Sequence, residues 1–261
     1  MTKIGIIGAG AYGEILGSIL SDKGLLVSFY DPKLPDSDIS KTIDDADYVL
    51  LAVPSAVAND VLPLLNHDTP LIVATKGIVS KKIFSGFNDI MLISGPGFAK
   101  DIAAKKKTIL TATDHRVIDL FSTDYLSFDY TNDIQGVLLC GSLKNVYAIG
   151  AGFLNLNYGS PNWRRYISDI YVELKTILIY NSCDPRTADL SCGIGDLKLT
   201  CDTPSRNFQF GQDFAKSGSN IPHETVEGLS ALKAIHNGGL ALPEDAVILK
   251  SIIRRVLNGT K

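Results

Sequence analysis

Near the start of the chain an apolar run, Lys3-Ile4-Gly5-Ile6-Ile7, leads directly into Gly8-Ala9-Gly10-Ala11-Tyr12-Gly13, and apolar side chains then recur at helical spacing from Tyr12 to Leu20. Glycines in that context predict a strand, a tight turn and a helix, the start of a βαβ unit. Each glycine has its own reason to lack a side chain. Gly8 permits the turn, Gly10 lets backbone N–H groups reach a pyrophosphate, and Gly13 lets the helix pack closely on the strand. The helix N-terminus, with Ala11 and Tyr12 in its first turn, then faces the phosphates of a dinucleotide. A second apolar segment, Leu25-Leu26-Val27-Ser28-Phe29-Tyr30, ends at Asp31. A carboxylate there can accept hydrogen bonds from the adenine ribose hydroxyls and repel a 2′-phosphate, so the expected cofactor is NAD, with NADP second.

The rest of the first half keeps alternating strand-like and helix-like segments. Tyr48 to Val53, Leu71 to Thr75 and Met91 to Ser94 read as buried strands, closed by Pro54-Ser55, Lys76-Gly77 and Gly95-Pro96-Gly97. Open α/β sheets bind ligands along the carboxyl edge, so these turns are expected to line the cofactor groove. Thr108 to Thr113 and Leu126 to Tyr130 can complete the sheet. From about Asp133 onward strand patterning stops, and apolar residues fall at three- and four-residue spacing, as in Ile167, Ile170, Leu174 and Leu178. The last such segment, Ala246 to Leu257, is followed by Gly259 as a helix stop. The expected fold is α/β: an N-terminal Rossmann-like, doubly wound parallel sheet over residues 1–132, then an all-helical domain over 133–261 for substrate and catalysis. A long helix, not a flexible tether, is expected to join them.

Composition narrows the partners. With 25 basic and 28 acidic residues the net charge is −3, and no basic run or aromatic–basic interleaving points to nucleic acid. Glycines and charges interrupt every apolar stretch, so no membrane span is expected. Cys140, Cys183, Cys192 and Cys201 are widely separated, with no histidine at metal-ligand spacing; they read as reduced, buried thiols, and no metal is expected. His67, His115, His223 and His236 are equally scattered. A cytoplasmic protein is the reading.

Chemistry is concentrated in the second half. Gly141-Ser142-Leu143-Lys144-Asn145-Val146 sets a lysine in an otherwise small and apolar helix, where an ammonium needs a partner or a ligand. Gly193-Ile194-Gly195-Asp196-Leu197 supplies a carboxylate that can pair with it, as chemistry or as a structural ion pair. Thr200 and Ser205-Arg206-Asn207 follow, and the forked donors of Arg206 suit a phosphate or a carboxylate.

These blocks, together with Ala52-Val53-Pro54-Ser55, Thr75-Lys76-Gly77, Ser94-Gly95-Pro96-Gly97-Phe98-Ala99 and Thr225-Val226-Glu227-Gly228, resemble the NAD(P)-dependent glycerol-3-phosphate dehydrogenases, in the family's order and across nearly the whole chain. The resemblance implies reversible reduction of dihydroxyacetone phosphate to sn-glycerol 3-phosphate. It implies Lys144 as proton donor and, in reverse, base, with Asp196 holding and tuning it. Asn145 and Thr200 would orient the substrate; Arg206 and Asn207 would take its phosphate; Ser205 and the backbone at Gly95 and Gly97 would also lie at the substrate. Lys76 would bridge substrate and cofactor, and Ala99, Arg206 and Glu227 would join Gly8, Gly10, Ala11, Tyr12, Gly13 and Asp31 around the cofactor. A helical second domain of this kind implies a homodimer.

Several positions depart from the family pattern. The chain is shorter, with losses between Asp31 and Asp47 and near Asp114 to Asp129. Gly97 stands where serine, threonine or asparagine is usual. Gly159-Ser160-Pro161-Asn162-Trp163 replaces a glycine–aspartate–asparagine pattern, and Ser168-Asp169-Ile170 replaces threonine–arginine–glycine, which reverses a local charge. Two other readings follow: a related two-domain reductase of another anionic keto or hydroxy substrate, and an NAD-binding protein without turnover. Retention of Lys144, Asp196 and Arg206 together speaks against the second.

Overall fold

The computed structural model describes residues 1–156, 158–202, 205–217 and 226–257, so the expectations for His223, Thr225 and Gly259 lie outside the described residues. It divides into two compact units, one of residues 1–75 and 81–134, the other of residues 76–80 and 135–261.

In the first unit the glycine motif folds as its chemistry requires. β1 (Lys3–Ile7) runs into α1 (Ala11–Asp22), and β2 (Leu26–Tyr30) returns parallel to β1, with Ile4 beside Val27 and Ile6 beside Phe29. There follow α2 (Ile39–Ile43), β3 (Tyr48–Leu51), α3 (Ser55–Val61), β4 (Leu71–Val73), β5 (Ile90–Ser94), α4 (Ala99–Ala103), β6 (Thr108–Ala112), α5 (His115–Phe121) and β7 (Leu126–Tyr130). The seven strands lie in the order β2-β1-β3-β4-β5-β6-β7. The chain goes outward from β1 to β2 and then crosses to β3 on the other side of β1. That reversal is the topological switch point, where open sheets bind ligands beyond the carboxyl ends of their strands.

The sheet is mostly, not wholly, parallel. β5 and β6 run antiparallel, Ile93 against Ala112 and Ser94 against Thr111. Thr113 extends the pairing: its hydroxyl accepts the Leu92 N–H at 2.8 Å, and its own N–H reaches the Leu92 carbonyl at 3.2 Å. An apolar run reads the same in either direction, so the pattern that identified β6 carried no information on its polarity. Leu16, Ile19 and Leu20 of α1, Ile102 of α4, and Val117 and Phe121 of α5 pack with Ile6, Leu50, Ile72 and Leu110 of the strands in one apolar core. Strands covered in this way are expected to read as continuous apolar runs, as these do.

The second unit contains α6 (Ile134–Phe153), α7 (Trp163–Tyr180), α8 (Asp196–Cys201), α9 (Arg206–Ser217), α10 (Glu227–Ala234) and α11 (Val247–Leu257). Beyond Tyr130 the described residues hold no strand. α6 is buried without interruption from Gly136 to Gly152. Against the expectation that no segment reaches membrane-span length, α6 does so by length and apolar composition, because its glycines and one lysine dilute the stretch too little. Yet 94% of that window is buried inside the fold, and a helix apolar on all sides is then the core around which its neighbours pack. Glycines allow α9 to touch it: a Cβ at Gly152 would lie 2.1 Å from the Phe208 carbonyl oxygen, and one at Gly211 2.1 Å from that of Ile149. Residues 76–80 belong with these helices. Ser142 donates its hydroxyl to the Ile78 carbonyl at 2.6 Å, and the Gln135 amide donates to that of Val79 at 2.9 Å. All four cysteines are buried thiols outside any disulfide among the described residues.

Candidate active site

In the first unit, the turn after β1 is a cradle made by removing side chains. Gly8 has φ +106°, and a Cβ there would stand 2.7 Å from the Ala52 carbonyl oxygen beyond β3; a Cβ at Gly13 would stand 2.0 Å from the Gly8 carbonyl oxygen. The turn, the first turn of α1 and the end of β3 are thus in backbone contact. Around Gly10, by contrast, a Cβ would meet nothing within 4 Å, and Gly10 offers no side chain to cap α1. A twelve-residue helix with an open, uncapped N-terminus at the switch point suits a dinucleotide pyrophosphate. Asp31 sits beside it at the end of β2, where Oδ2 accepts the Ala9 N–H at 3.1 Å and Oδ1 the Lys33 N–H at 3.0 Å. Its carboxylate therefore holds the glycine turn and has lone pairs to spare.

The second unit gathers the ionisable residues. Lys144, in the middle of α6, is 4% exposed, and Asp196, first residue of α8, is 1% exposed. The Lys144 ammonium lies 2.5 Å from Asp196 Oδ2 and donates to Thr200 Oγ1 at 3.3 Å. Thr200 follows Asp196 by one helical turn, so both face the lysine, and its hydroxyl donates to Asp196 Oδ1 at 3.3 Å. Lys76 brings a second ammonium to 3.5 Å from Asp196 Oδ2. Burial pushes Lys144 down to about 8, against the pull of the Asp196 carboxylate and with a further lowering from Lys76. A lysine poised there exchanges a proton readily near neutral pH. Burial also raises the neighbouring Cys201 thiol, which stays protonated and inert.

Beside this triad runs a chain of amides. The Asn207 side-chain amide donates to Asn145 Oδ1 at 2.9 Å, and its Oδ1 accepts the Gly228 N–H at 2.9 Å, which ties α6, α9 and the start of α10 together. Ser205, expected at the substrate, caps α9: its hydroxyl accepts the Phe208 N–H at 3.1 Å and donates to the Thr200 carbonyl at 2.8 Å. Arg206 opens α9, exposed and without an ion pair among the described residues, and half-buried Glu227 opens α10. Gly95, Gly97 and Ala99 lie in the first unit, between β5 and the first turn of α4.

Two departures from the family pattern have local explanations. A Cβ at Gly97 would approach Leu110 Cδ2 to 3.0 Å and Ile102 Cδ1 to 3.1 Å, so a side chain there needs both tips to give by a few tenths of an ångström. Asp169 lies on the outer face of α7 and pairs with Arg165 at 3.7 Å, one helical turn away. Three polar residues of the second unit went unread in the sequence: Ser142, Tyr147 and Glu173. Only Glu173 left a trace, as the single charge on the stripe formed by Ile170, Leu174 and Ile177.

Two family models match, the NAD-dependent glycerol-3-phosphate dehydrogenase N-terminus over residues 31–117 and the C-terminus over residues 133–261. A glycerol-3-phosphate dehydrogenase (NAD(P)+) of Desulfotalea psychrophila is 30% identical over 316 aligned positions, covering 98% of this chain and 93% of that protein. One of Lactobacillus acidophilus is 31% identical over 320 positions, covering 100% and 94%. Both alignments are longer than the 261-residue chain, which is therefore shortened internally relative to these proteins. The fold matches that of a glycerol-3-phosphate dehydrogenase from Coxiella burnetii with a TM-score of 0.79 at 23% identity, covering 99% of this chain and 95% of that one.

Proposed function

The chain belongs to the NAD-dependent glycerol-3-phosphate dehydrogenase family, and from that membership we propose that it interconverts dihydroxyacetone phosphate and sn-glycerol 3-phosphate with a nicotinamide dinucleotide. The observation that carries the reading is the buried Lys144–Asp196–Thr200 group with Lys76 beside it, which offers the positioned proton donor that ketone reduction requires.

Gly8, Gly10, Ala11, Tyr12, Gly13 and Asp31 would hold the dinucleotide, which when bound would give a hydride to the substrate carbon in reduction and accept one from it in oxidation. Lys144 gives its proton to the carbonyl oxygen as that oxygen becomes an alcohol, and takes it back in the reverse direction. Asp196 keeps the ammonium charged despite its burial, and the Thr200 hydroxyl fixes the direction in which the ammonium points. Lys76 adds a second positive charge where negative charge develops on oxygen. Arg206 binds the substrate phosphate through its fork of donors, with Asn145, Asn207 and Ser205 shaping the wall behind it. By the family pattern, backbone at Gly95 and Gly97 also meets the substrate, and Lys76, Ala99, Arg206 and Glu227 the cofactor. The carboxylate of Asp31 supports a preference for NAD over NADP.

The reading extends to a cytoplasmic homodimer. Four cysteines held as thiols, outside any disulfide among the described residues, suit a reducing compartment. Val172 and Ile179, seven residues apart on one face of α7, are 59% and 62% exposed, an apolar surface suited to a second copy. The first test is oxidation of NADH by the purified protein with dihydroxyacetone phosphate, repeated with NADPH and with Lys144→Ala. Turnover that disappears in the variant while NADH still binds is expected. Turnover unchanged in Lys144→Ala takes the lysine out of the chemistry, and none in the wild type refutes the assignment.

A further inference from the structure

Glu173 is the only charged side chain on the buried stripe of α7, 6% exposed, and it forms no ion pair among the described residues. Hydrogen bonds meet its charge instead. Oε1 accepts from the Tyr147 hydroxyl at 3.0 Å and from the Leu249 N–H at 2.9 Å, and Oε2 accepts from the Ile248 N–H at 2.7 Å. The two N–H groups belong to the first turn of α11, so a carboxylate reaching across from another helix caps that terminus and meets its positive end. Tyr147 stands three residues after Lys144 on α6, one turn along the same face. Its carbonyl in turn accepts the Tyr166 hydroxyl of α7 at 2.7 Å.

A serine, threonine or aspartate at the start of α11 would cap that helix without moving a charge out of water, and desolvating a carboxylate is costly. Stability alone does not call for this arrangement. Around Lys144, α6 is mostly apolar, and apolar packing is non-directional, so it sets the depth of a helix better than its axial position. The directional contacts of this stretch go to three sides: Ser142 to Ile78, Asn145 to Asn207, and Tyr147 to Glu173. The second ties α6 to α9 and α10 and the third ties α6 to α7 and α11; of the three, which leave out the Lys144 ion pair itself, the third is the one that involves a full charge.

We propose that Glu173 is a positioning residue for Lys144: through Tyr147 it fixes α6 along its axis, so that the ammonium meets Asp196 and the substrate oxygen in register. The proposal rests on the dehydrogenase reading. The experiment measures dihydroxyacetone phosphate reduction by NADH in the wild type, Glu173→Gln, Tyr147→Phe and their double variant, with Val256→Ala as a control. Glutamine keeps the shape of the side chain but turns a donor toward the Ile248 N–H, and Tyr147→Phe removes only the hydroxyl.

Each single variant is expected to lose about tenfold or more in kcat, as a misplacement of a fraction of an ångström does, with substrate KM and NADH affinity within about twofold of wild type. The double variant loses no more than the worse single one, because both act through one bond. Val256→Ala trims a buried side chain of α11 well away from that bond; it lowers Tm and leaves kcat unchanged. Wild-type kcat in folded Tyr147→Phe overturns the proposal, as do losses that multiply in the double variant or a kcat loss in Val256→Ala that matches theirs. If Glu173→Gln does not fold, Tyr147→Phe decides alone. No turnover in the wild type removes the dehydrogenase reading, and this proposal with it.

Discussion

Lys76 and Lys144 direct their ammonium groups at the same carboxylate oxygen, Asp196 Oδ2, from 3.5 Å and 2.5 Å. Two cations against one anion give that oxygen a surplus of positive charge among the described contacts. That surplus is useful where a carbonyl oxygen becomes an alkoxide and accepts a proton, because charge placed in advance needs no reorganisation during the reaction. The three residues have unequal duties: Lys144 is buried, Lys76 partly open to solvent, and Asp196 is the anion that makes both tolerable.

Asp196→Asn tests that dependence. An amide cannot offset the burial and the neighbouring Lys76 charge that lower Lys144, so the lysine loses its proton at neutral pH and no longer has one to give. Reduction of dihydroxyacetone phosphate is expected to fall by roughly a hundredfold or more in kcat, with NADH binding unchanged, since the cradle for the dinucleotide is built from other residues. Near-wild-type kcat would show that the carboxylate is an ion-pair partner and nothing more.

The pH dependence has a definite sign. Lys144 is held at about 8. Ketone reduction uses the charged form, so its rate is full below that value and declines as pH rises through it. Alcohol oxidation uses the neutral amine, so its rate climbs over the same interval. Initial rates in both directions across roughly pH 6 to 10, at saturating cofactor, should give opposed limbs that cross near the lysine's value. Limbs of the same sign exclude Lys144 from proton transfer.

Arg206 is the exposed guanidinium at the start of α9, and it has no ion pair to lose among the described residues. Removing it should therefore affect ligand binding and not the fold. Arg206→Ala is expected to raise KM for dihydroxyacetone phosphate by about 10 to 100-fold, the worth of a charge-assisted contact of about 1.5–3 kcal/mol, with a smaller change in kcat and none in Tm. Arg206→Lys should recover only part of the loss, because a single ammonium cannot match a fork of donors. A KM that stays put in Arg206→Ala assigns the phosphate to other residues.

How far the sequence disclosed this molecule depends on which kind of signal a residue leaves. Gly8, Gly10 and Gly13 were legible because each lacks a side chain for a separate steric reason, and the reasons recur wherever a strand meets a helix over a phosphate. Lys144 was legible because a lone charge in an apolar helix demands an explanation. The polarity of β6 was not, since alternation and apolarity are the same read forwards or backwards. Nor was the membership of residues 76–80 in the helical unit: it rests on two carbonyls, Ile78 and Val79, whose acceptance of Ser142 and Gln135 leaves no mark on side-chain identity. Ser205 was read for its hydroxyl and turned out to spend it on a cap, which any N-terminal serine does equally well. Glu173 lies between these cases, visible as a charge on a stripe but with partners that only the fold reveals.

The glycine at position 97 separates packing from chemistry. Where the family pattern has a side chain with a hydroxyl or amide, this chain has none, and the packing beneath is tight: Leu110 Cδ2 and Ile102 Cδ1 would come within 3.0 and 3.1 Å of a Cβ. Restoring the family residue by Gly97→Ser is thus expected to force both side chains aside, at a cost of about 1–3 kcal/mol typical of overpacking, and to lower Tm by several degrees. Any gain in substrate affinity from the new hydroxyl would appear only against that loss. Ile102→Val deletes the Cδ1 methyl that the serine meets, at its own modest cost. The two substitutions should therefore compensate in part, with the double variant more stable than the sum of the singles predicts. Thermal unfolding of the four proteins measures the coupling. If Gly97→Ser is as stable as the wild type, or if the double variant is simply additive, the packing under position 97 does not account for the glycine, and the missing side chain is a difference in how the site handles its substrate.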